Sequence, residues 1–288
     1  MTQLWISAIE VGSFYALIAL GYYLILEGSG FFNFAAGGYA MVAGLGTAYF
    51  VRIHDWPAAV AILVGIILAV TLSIGTEIAI VRPVERRADA ELPALIAVMA
   101  SLFILQQGAG WLFGRRPLPG TKIVTIGPAR IGDTVIRTDA IVLVAVALVI
   151  FVSVYLWLTH TSYGRMLRAV GDNQEAAHRL GFPVARIRIA AFAVAGLIFG
   201  IAGILISAKA GISNNSGLTF SLFGFLSFVL GGRGTFFGPI LGGYLLASLH
   251  IFASYYLGGA FLDYSTLVLA LVLFALRPEG LISQRVRT

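Results

Sequence analysis

Apolar runs of membrane-spanning length alternate with short polar breaks along nearly the whole chain. A helical span needs roughly 20 apolar residues. By that measure candidate spans cover Leu4 to Leu26, Phe31 to Phe50, Trp56 to Val81, Pro93 to Phe113, Ala140 to Leu158, Ala190 to Ala208, Leu218 to Leu230, Phe236 to Leu257 and Phe261 to Leu276. The seventh is too short to cross comfortably. Leu4 to Leu26 has no basic residue before it and no small-residue cleavage site in a convincing place, so it reads as a retained helix. The pattern predicts an all-α polytopic membrane protein, a single transmembrane domain of about 8–9 transmembrane or partly re-entrant helices.

The breaks set the expected orientation. The largest, Tyr163 to Arg188, holds five arginines, one aspartate, one glutamate and one histidine, and cannot cross a bilayer. The loop Arg82 to Glu91 and the tail from Arg277 are also arginine-rich, and an even number of spans separates each from the next. Short arginine-rich loops stay in the cytoplasm, which predicts an external N-terminus and a cytoplasmic C-terminus. The loop Gly114 to Asp139 falls outside although it holds five Lys or Arg; it is longer and has two acids, and long loops obey the rule less strictly. Inside it, β-branched residues flank Gly-Pro and Gly-Asp, the pattern of a small hairpin, read as a cap or a docking surface for an external partner.

Composition agrees with this class. The chain is 59% hydrophobic and 11% charged, with a mean hydropathy of +0.94, far from the balance of a soluble domain. Thirty-four glycines suit helices that approach closely through small faces. The net charge of +6 lies in short loops between spans, so topology accounts for it without nucleic acid. There is no cysteine, hence no disulfide framework or thiolate metal site. His54, His160, His178 and His250 have no metal-ligand spacing, no nucleophile elbow occurs, and a phosphate-binding GxxxxGK[ST] is missing. The residues thus argue for no enzyme, no cofactor and no ATP hydrolysis by that route.

Two regions carry candidate chemistry. Within the large break, Asn173 to Leu180 is helix-compatible, with Asp172 as N-cap, Glu175 at capping-box spacing, and Gly181 and Pro183 as a stop. Ala176, Ala177 and Leu180 along one face, with His178 and Arg179 at the rim, fit a groove on a partner; the plainer alternative is a capped surface helix. The second region is Glu27 to Gly44, where Asn33 sits among phenylalanines. Such an Asn either pairs structurally or faces a water-filled path. Ser213 to Gly234 repeats the mixture of Ser-Gly, Asn, Phe and paired glycines. Gly-interrupted segments at corresponding places in two halves mark inverted repeats and a central path, which makes Phe31, Asn33, Phe34, Asn214, Asn215 and Phe220 candidate pathway residues; the two stretches have no clean periodic alignment, and coincidence of composition is the alternative. Among ionisable groups, Glu10 lies within the first span, Glu77 reaches toward Arg82, Lys209 and Asp263 fall at outer helix ends, and Arg233 lies in a glycine turn. Structural or interfacial roles suit each of these. An ion-coupled secondary transporter or channel built on Glu10, Glu77 or Asp263 is the alternative.

The segment from Arg168 resembles the signature of permease subunits in branched-chain amino-acid ABC importers, the LivH and LivM type. The matching residues are Arg168-Ala169, Glu175-Ala176-Ala177, Gly181, Arg188, Phe192 and Ala202-Gly203. YALIALGYYLILEGSGFFNFAAGGYAMVAG, FVLGGRGTFFGPILGGYLLA and RPEGLI extend the likeness, and the length is closer to LivH. The resemblance implies a multi-pass protein of the bacterial inner membrane surrounded by lipid. It implies that Asp172, Glu175, Ala176, Ala177, Arg179 and Gly181 form an ATPase-coupling segment. The implied partners are cytoplasmic ABC ATPase subunits, a LivM-like sister permease or second copy, and a periplasmic or lipid-anchored binding protein. The implied cargo is a branched-chain amino acid or a related amide, urea or small carboxylate. Asn33, Phe34 and Ala35 match the family's N-F-A-H-G, but Ala36 stands at the His position.

Overall fold

The computed structural model describes residues 1–85, 91–121, 127, 129–131, 134–232, 235–258 and 268. Within them the regular secondary structure is helical apart from one hairpin and an isolated bridge. The helices are α1 (Thr2–Ser29), α2 (Ala36–Ile53), α3 (Ala58–Thr76), a π-helical turn (Glu77–Val81), α4 (Arg82–Glu85) and α5 (Glu91–Phe113). After strands β1 (Ala129–Ile131) and β2 (Thr134–Ile136) come α6 (Thr138–His160), α7 (Ser162–Asp172), α8 (Gln174–Arg179), α9 (Val184–Ala210), α10 (Ser216–Gly231) and α11 (Phe237–Leu257). Six of these segments are long and apolar enough to cross a membrane, while α10 is shorter. The expected span Phe261 to Leu276 with Asp263, the residue Arg233 and the arginine-rich tail lie outside the described residues, Val268 excepted.

α1 and α9 are apolar all round and form the centre. Leu17, Ile18, Leu20 and Leu24 of α1 are fully buried, as are Phe192 and Phe199 of α9. The two helices run antiparallel: Gly28 meets Ala191, Gly21 meets Phe199, and Glu10 pairs with Lys209. α3, α5, α6 and α11 keep large apolar side chains such as Leu63, Ile104, Leu148 and Leu245 exposed on the outside, as expected of surfaces that face lipid.

The order of packing is reciprocal. α1, α2 and α3 form one triplet and α9, α10 and α11 another; α3 packs on α9, and α11 packs on α1. In each triplet a long helix ends, a non-helical link follows (residues 30–35 and 211–215), and a shorter helix begins. Ala36 N–H donates to Asn33 O at 3.1 Å, and Ser216 N–H donates to Ser213 O at 3.1 Å, so both short helices start alike. With the long helices antiparallel, the two triplets have the arrangement expected of an inverted repeat.

Two expected boundaries change: α9 begins at Val184, six residues before the expected Ala190, so that the end of the polar break through Arg188 is already helical. The candidate span from Phe31 becomes helical only at Ala36, because the backbone of residues 31–35 is held by side chains instead of by helical bonds. At the far end of α1 the hairpin pairs Ala129 with Ile136, Arg130 with Val135 and Ile131 with Thr134. Beside it, Leu118 and Ile212 exchange two backbone bonds of 2.9 Å, fastening the loop after α5 to the link before α10.

Candidate functional site

The first candidate site is the crossing of the two short helices. Gly37 and Gly217 each occupy the second position of their helix, and a Cβ on Gly37 would stand 2.3 Å from Gly217 O. Only glycine permits this approach. Ser221 Oγ accepts from Gly37 N–H at 3.0 Å and donates to Phe34 O at 2.6 Å, binding the first link to α10. Tyr22 Oη adds a bond of 3.3 Å to Ser221 O.

Asn33 is fully buried, donates from Nδ2 to Tyr39 Oη at 2.9 Å and accepts from Ala35 N–H at 3.0 Å. Both ends of its amide are engaged, so it braces the link. Phe32 lies among Tyr22, Phe34, Phe225 and Phe228 with ring centroids 5.0–6.1 Å apart. Phe34 also packs on Phe225, with ring centroids 4.9 Å apart and the planes tilted by 45°. Phe31 is half-buried beside Ser29, whose Oγ donates to Phe31 O at 3.3 Å. The second link goes elsewhere. Asn214 is buried against Gly110 of α5, Asn215 O accepts from Gln106 at 3.4 Å, and Phe220 packs edge-on to Phe14 at 5.0 Å. The structure therefore joins Phe34 to α10 but sets the asparagines in two separate places, one by each link. Sequence reasoning missed Ser221; a lone serine in an apolar run carries no signal without its partner.

The second candidate site is the polar end formed by α7 and α8. Thr161 caps α7, accepting from Gly164 N–H at 3.1 Å, and Leu167 and Val170 turn inward against α1 and α9. α7 runs through Asp172, and the chain becomes extended at Asn173. Asn173 Oδ1 accepts from Ala176 N–H at 2.8 Å and is the N-cap of α8. The expected cap at Asp172 is thus corrected by one residue: Asp172 still has helical backbone and belongs to the preceding helix. Glu175, freed from a capping box, pairs with Arg179 at 2.6 Å. Both side chains are 77% exposed, so the pair contributes about 0.3–0.5 kcal/mol.

The expected single face of Ala176, Ala177 and Leu180 is divided. Ala177 is buried, whereas Ala176 and Leu180 project outward, Leu180 at 75% exposure. α8 ends with Gly181 at φ 82°, its N–H donating to His178 O at 3.0 Å, and Phe182 N–H donating to Ala177 O at 3.1 Å. That left-handed conformation suits glycine. The result is a short capped helix whose exposed face combines Leu180, Ala176, His178 and the Glu175–Arg179 pair.

Of the ionisable groups inside the spans, Glu10 meets Lys209 Nζ at 2.5 Å. Glu77 meets Arg188 more closely than the expected Arg82, at 2.7 Å against 3.4 Å. Sequence separation hid both pairings. Among the described residues no three His, Asp or Glu gather as metal ligands.

A family model described as "Branched-chain amino acid transport system / permease component" matches residues 5–276. The high-affinity branched-chain amino acid transport system permease protein LivH of Salmonella typhimurium is 24% identical, over 98% of this chain and 95% of that one. The corresponding permease protein BraD of Pseudomonas aeruginosa is 25% identical over the same shares. The autoinducer 2 import system permease protein LsrC of Escherichia coli is 30% identical over 55% of this chain and 47% of its own. Among solved structures, a chain of PsaBC from Streptococcus pneumoniae in complex with Fab matches with a TM-score of 0.52 and 14% identity. That match covers 96% of this chain and 92% of the other, a likeness of fold.

Proposed function

We infer the role of this chain from its family: it belongs to the permease components of branched-chain amino acid transport systems, and it is a multi-pass permease subunit of an ABC importer. We propose that its cargo is a branched-chain amino acid or a related small polar solute, an amide, urea or small carboxylate. ATP hydrolysis is supplied by cytoplasmic ATPase subunits, and cargo by a periplasmic or lipid-anchored binding protein. A LivM-like sister permease or a second copy completes the membrane unit.

The observation that carries this reading is α8. An isolated helix of six residues is unstable in water, yet this one is capped by Asn173, stopped by Gly181 and anchored only through Ala177. Its outward Leu180 is left 75% exposed among the described residues, as befits a contact made in trans. On this reading the arginine-rich end is cytoplasmic, Asp172 to Gly181 couples to the ATPase, and Phe31, Phe34 and Phe220 border the path near the crossing. Glu10 and Glu77 each meet a basic partner, which speaks against the ion-coupled alternative at Glu77, whose carboxylate is held by both oxygens, more than at Glu10, whose Oε1 is buried without a partner among the described residues.

Replacement of residues 172–181 by a Gly-Ser linker tests it. The expected result is loss of co-purification with the ATPase and loss of ATP-driven uptake, with the membrane part still folded. Normal uptake after this replacement would refute the assignment.

A further inference from the structure

Four links tie the end of α3 and α4 to the first turns of α9. Ser73 Oγ donates to Phe192 O at 2.8 Å. Glu77, with no exposed surface, receives Arg188 as a fork, Nε to Oε1 at 2.7 Å and Nη2 to Oε2 at 3.0 Å. The third guanidinium nitrogen of Arg188 reaches Glu85 Oε2 at 2.6 Å. Arg82 Nη2 lies 3.3 Å from Ala185 O and 3.4 Å from Glu77 Oε1. Two carboxylates and two guanidiniums thus balance one another, with Arg188 itself 5% exposed.

The local backbone is unusual at the same place. Arg82 N–H donates to Glu77 O, closing the wider turn of a π-helix, a feature that concentrates at functional positions. On the side of α8 the cluster borders a cavity of about 890 Å³ lined by Arg82, Glu85, His178, Pro183, Arg186 and Arg188. Arg188 stands in the second turn of the helix that α8 leads into through Gly181 and Pro183. A bidentate guanidinium–carboxylate pair is directional and stiff, and separating it while buried is costly. The start of α9 and the end of α3 therefore move as one body, while the cavity leaves the neighbouring link room to shift. α3 in turn is joined to α2 by Thr47 Oγ1, which donates to Ala61 O at 3.2 Å.

We propose that the Glu77–Arg188 fork is a positioning joint, which passes motion imposed on α8 to α3 and from there to α2. The proposal rests on the reading of α8 as the ATPase contact. Its test uses the transporter assembled with its ATPase and binding protein in proteoliposomes, with leucine as the probe, and ATP hydrolysis and leucine uptake measured in the same vesicles. The double substitution Glu77→Gln with Arg188→Gln removes one charge of each sign and leaves Arg82 and Glu85 balanced.

The expected result is normal assembly and near wild-type hydrolysis, with uptake per ATP reduced by about fivefold to a hundredfold, the span of free energies that couple distant sites. Unchanged uptake per ATP would overturn the joint and leave the coupling role of α8 standing. Should the double variant fail to assemble, Arg188→Lys, which keeps the charge and loses the fork, is read by the same two outcomes. Uptake by the unmodified chain without any ATPase would remove the coupling role, and the joint with it.

Discussion

Gly37→Ala is the sharpest test of the crossing. The added Cβ would stand 2.3 Å from Gly217 O, 2.3 Å from Ser221 N and 2.5 Å from Ser221 Oγ. Two of these three atoms are backbone, so no side-chain rotation relieves the clash. To reach ordinary contact, α10 must withdraw from α2 by about 1 Å, and overpacking of this kind costs about 1–3 kcal/mol. Withdrawal also stretches the Gly37–Ser221 and Phe34–Ser221 bonds, and interhelical bonds in membrane proteins average about 0.6 kcal/mol each. Against this, alanine is favoured over glycine in a helix by about 1 kcal/mol. The net loss is therefore about 1–3 kcal/mol, equivalent to a fall in melting temperature of roughly 3–10 °C. The assay is thermal unfolding in detergent, followed by ATP-driven uptake in vesicles. Gly75→Ala in α3 and Gly108→Ala in α5 are the controls, since a Cβ at either meets nothing within 4 Å; both are expected to hold or raise the melting temperature. If Gly37→Ala melts with these controls and transports normally, the two short helices do not cross as described.

Asn173→Ala is expected to destabilise α8 by about 1 kcal/mol through loss of its cap, seen as faster hydrogen exchange over Gln174 to Arg179 with little change in global melting. Asp172→Ala, one residue earlier, is expected to leave that exchange unaltered; the reverse order would restore the cap to Asp172. Gly181→Ala forces a side chain into φ 82° at a cost of about 1 kcal/mol, and is expected to weaken capture of the ATPase without unfolding the spans. Glu10→Gln leaves Lys209 with a weaker partner; because Lys209 is about a quarter exposed, the expected loss is below the 3–5 kcal/mol of a fully buried pair, about 1–2 kcal/mol by melting.

The spans were legible because lipid demands long apolar runs, and α3, α6, α9 and α11 lie within a few residues of the hydropathy limits. What periodicity could not reveal is which face of a helix is inside. α1 and α9 are apolar all round, so no stripe distinguishes a helix buried in protein from one that faces lipid. Only the packing partners Gly21–Phe199 and Gly28–Ala191 make that distinction. The break at 31–35 was half visible: Asn33 and the glycines allow a broken helix, but its cause is Ser221, distant in sequence and ordinary in type. The same holds at the polar end. The capping signals around Asp172 to Gly181 are local and misplace the N-cap by one residue, because Asp and Asn are both good caps and the choice depends on where α7 stops. Arg188 reads from sequence as one of five arginines in the polar break and a match to the family signature, yet it is buried in a fork with a carboxylate 111 positions away. A charge that determines topology has only to remain outside the hydrocarbon, whereas this one is drawn inside and balanced. Arginine count therefore marks one end of the molecule, and burial singles out Arg188 among its described arginines.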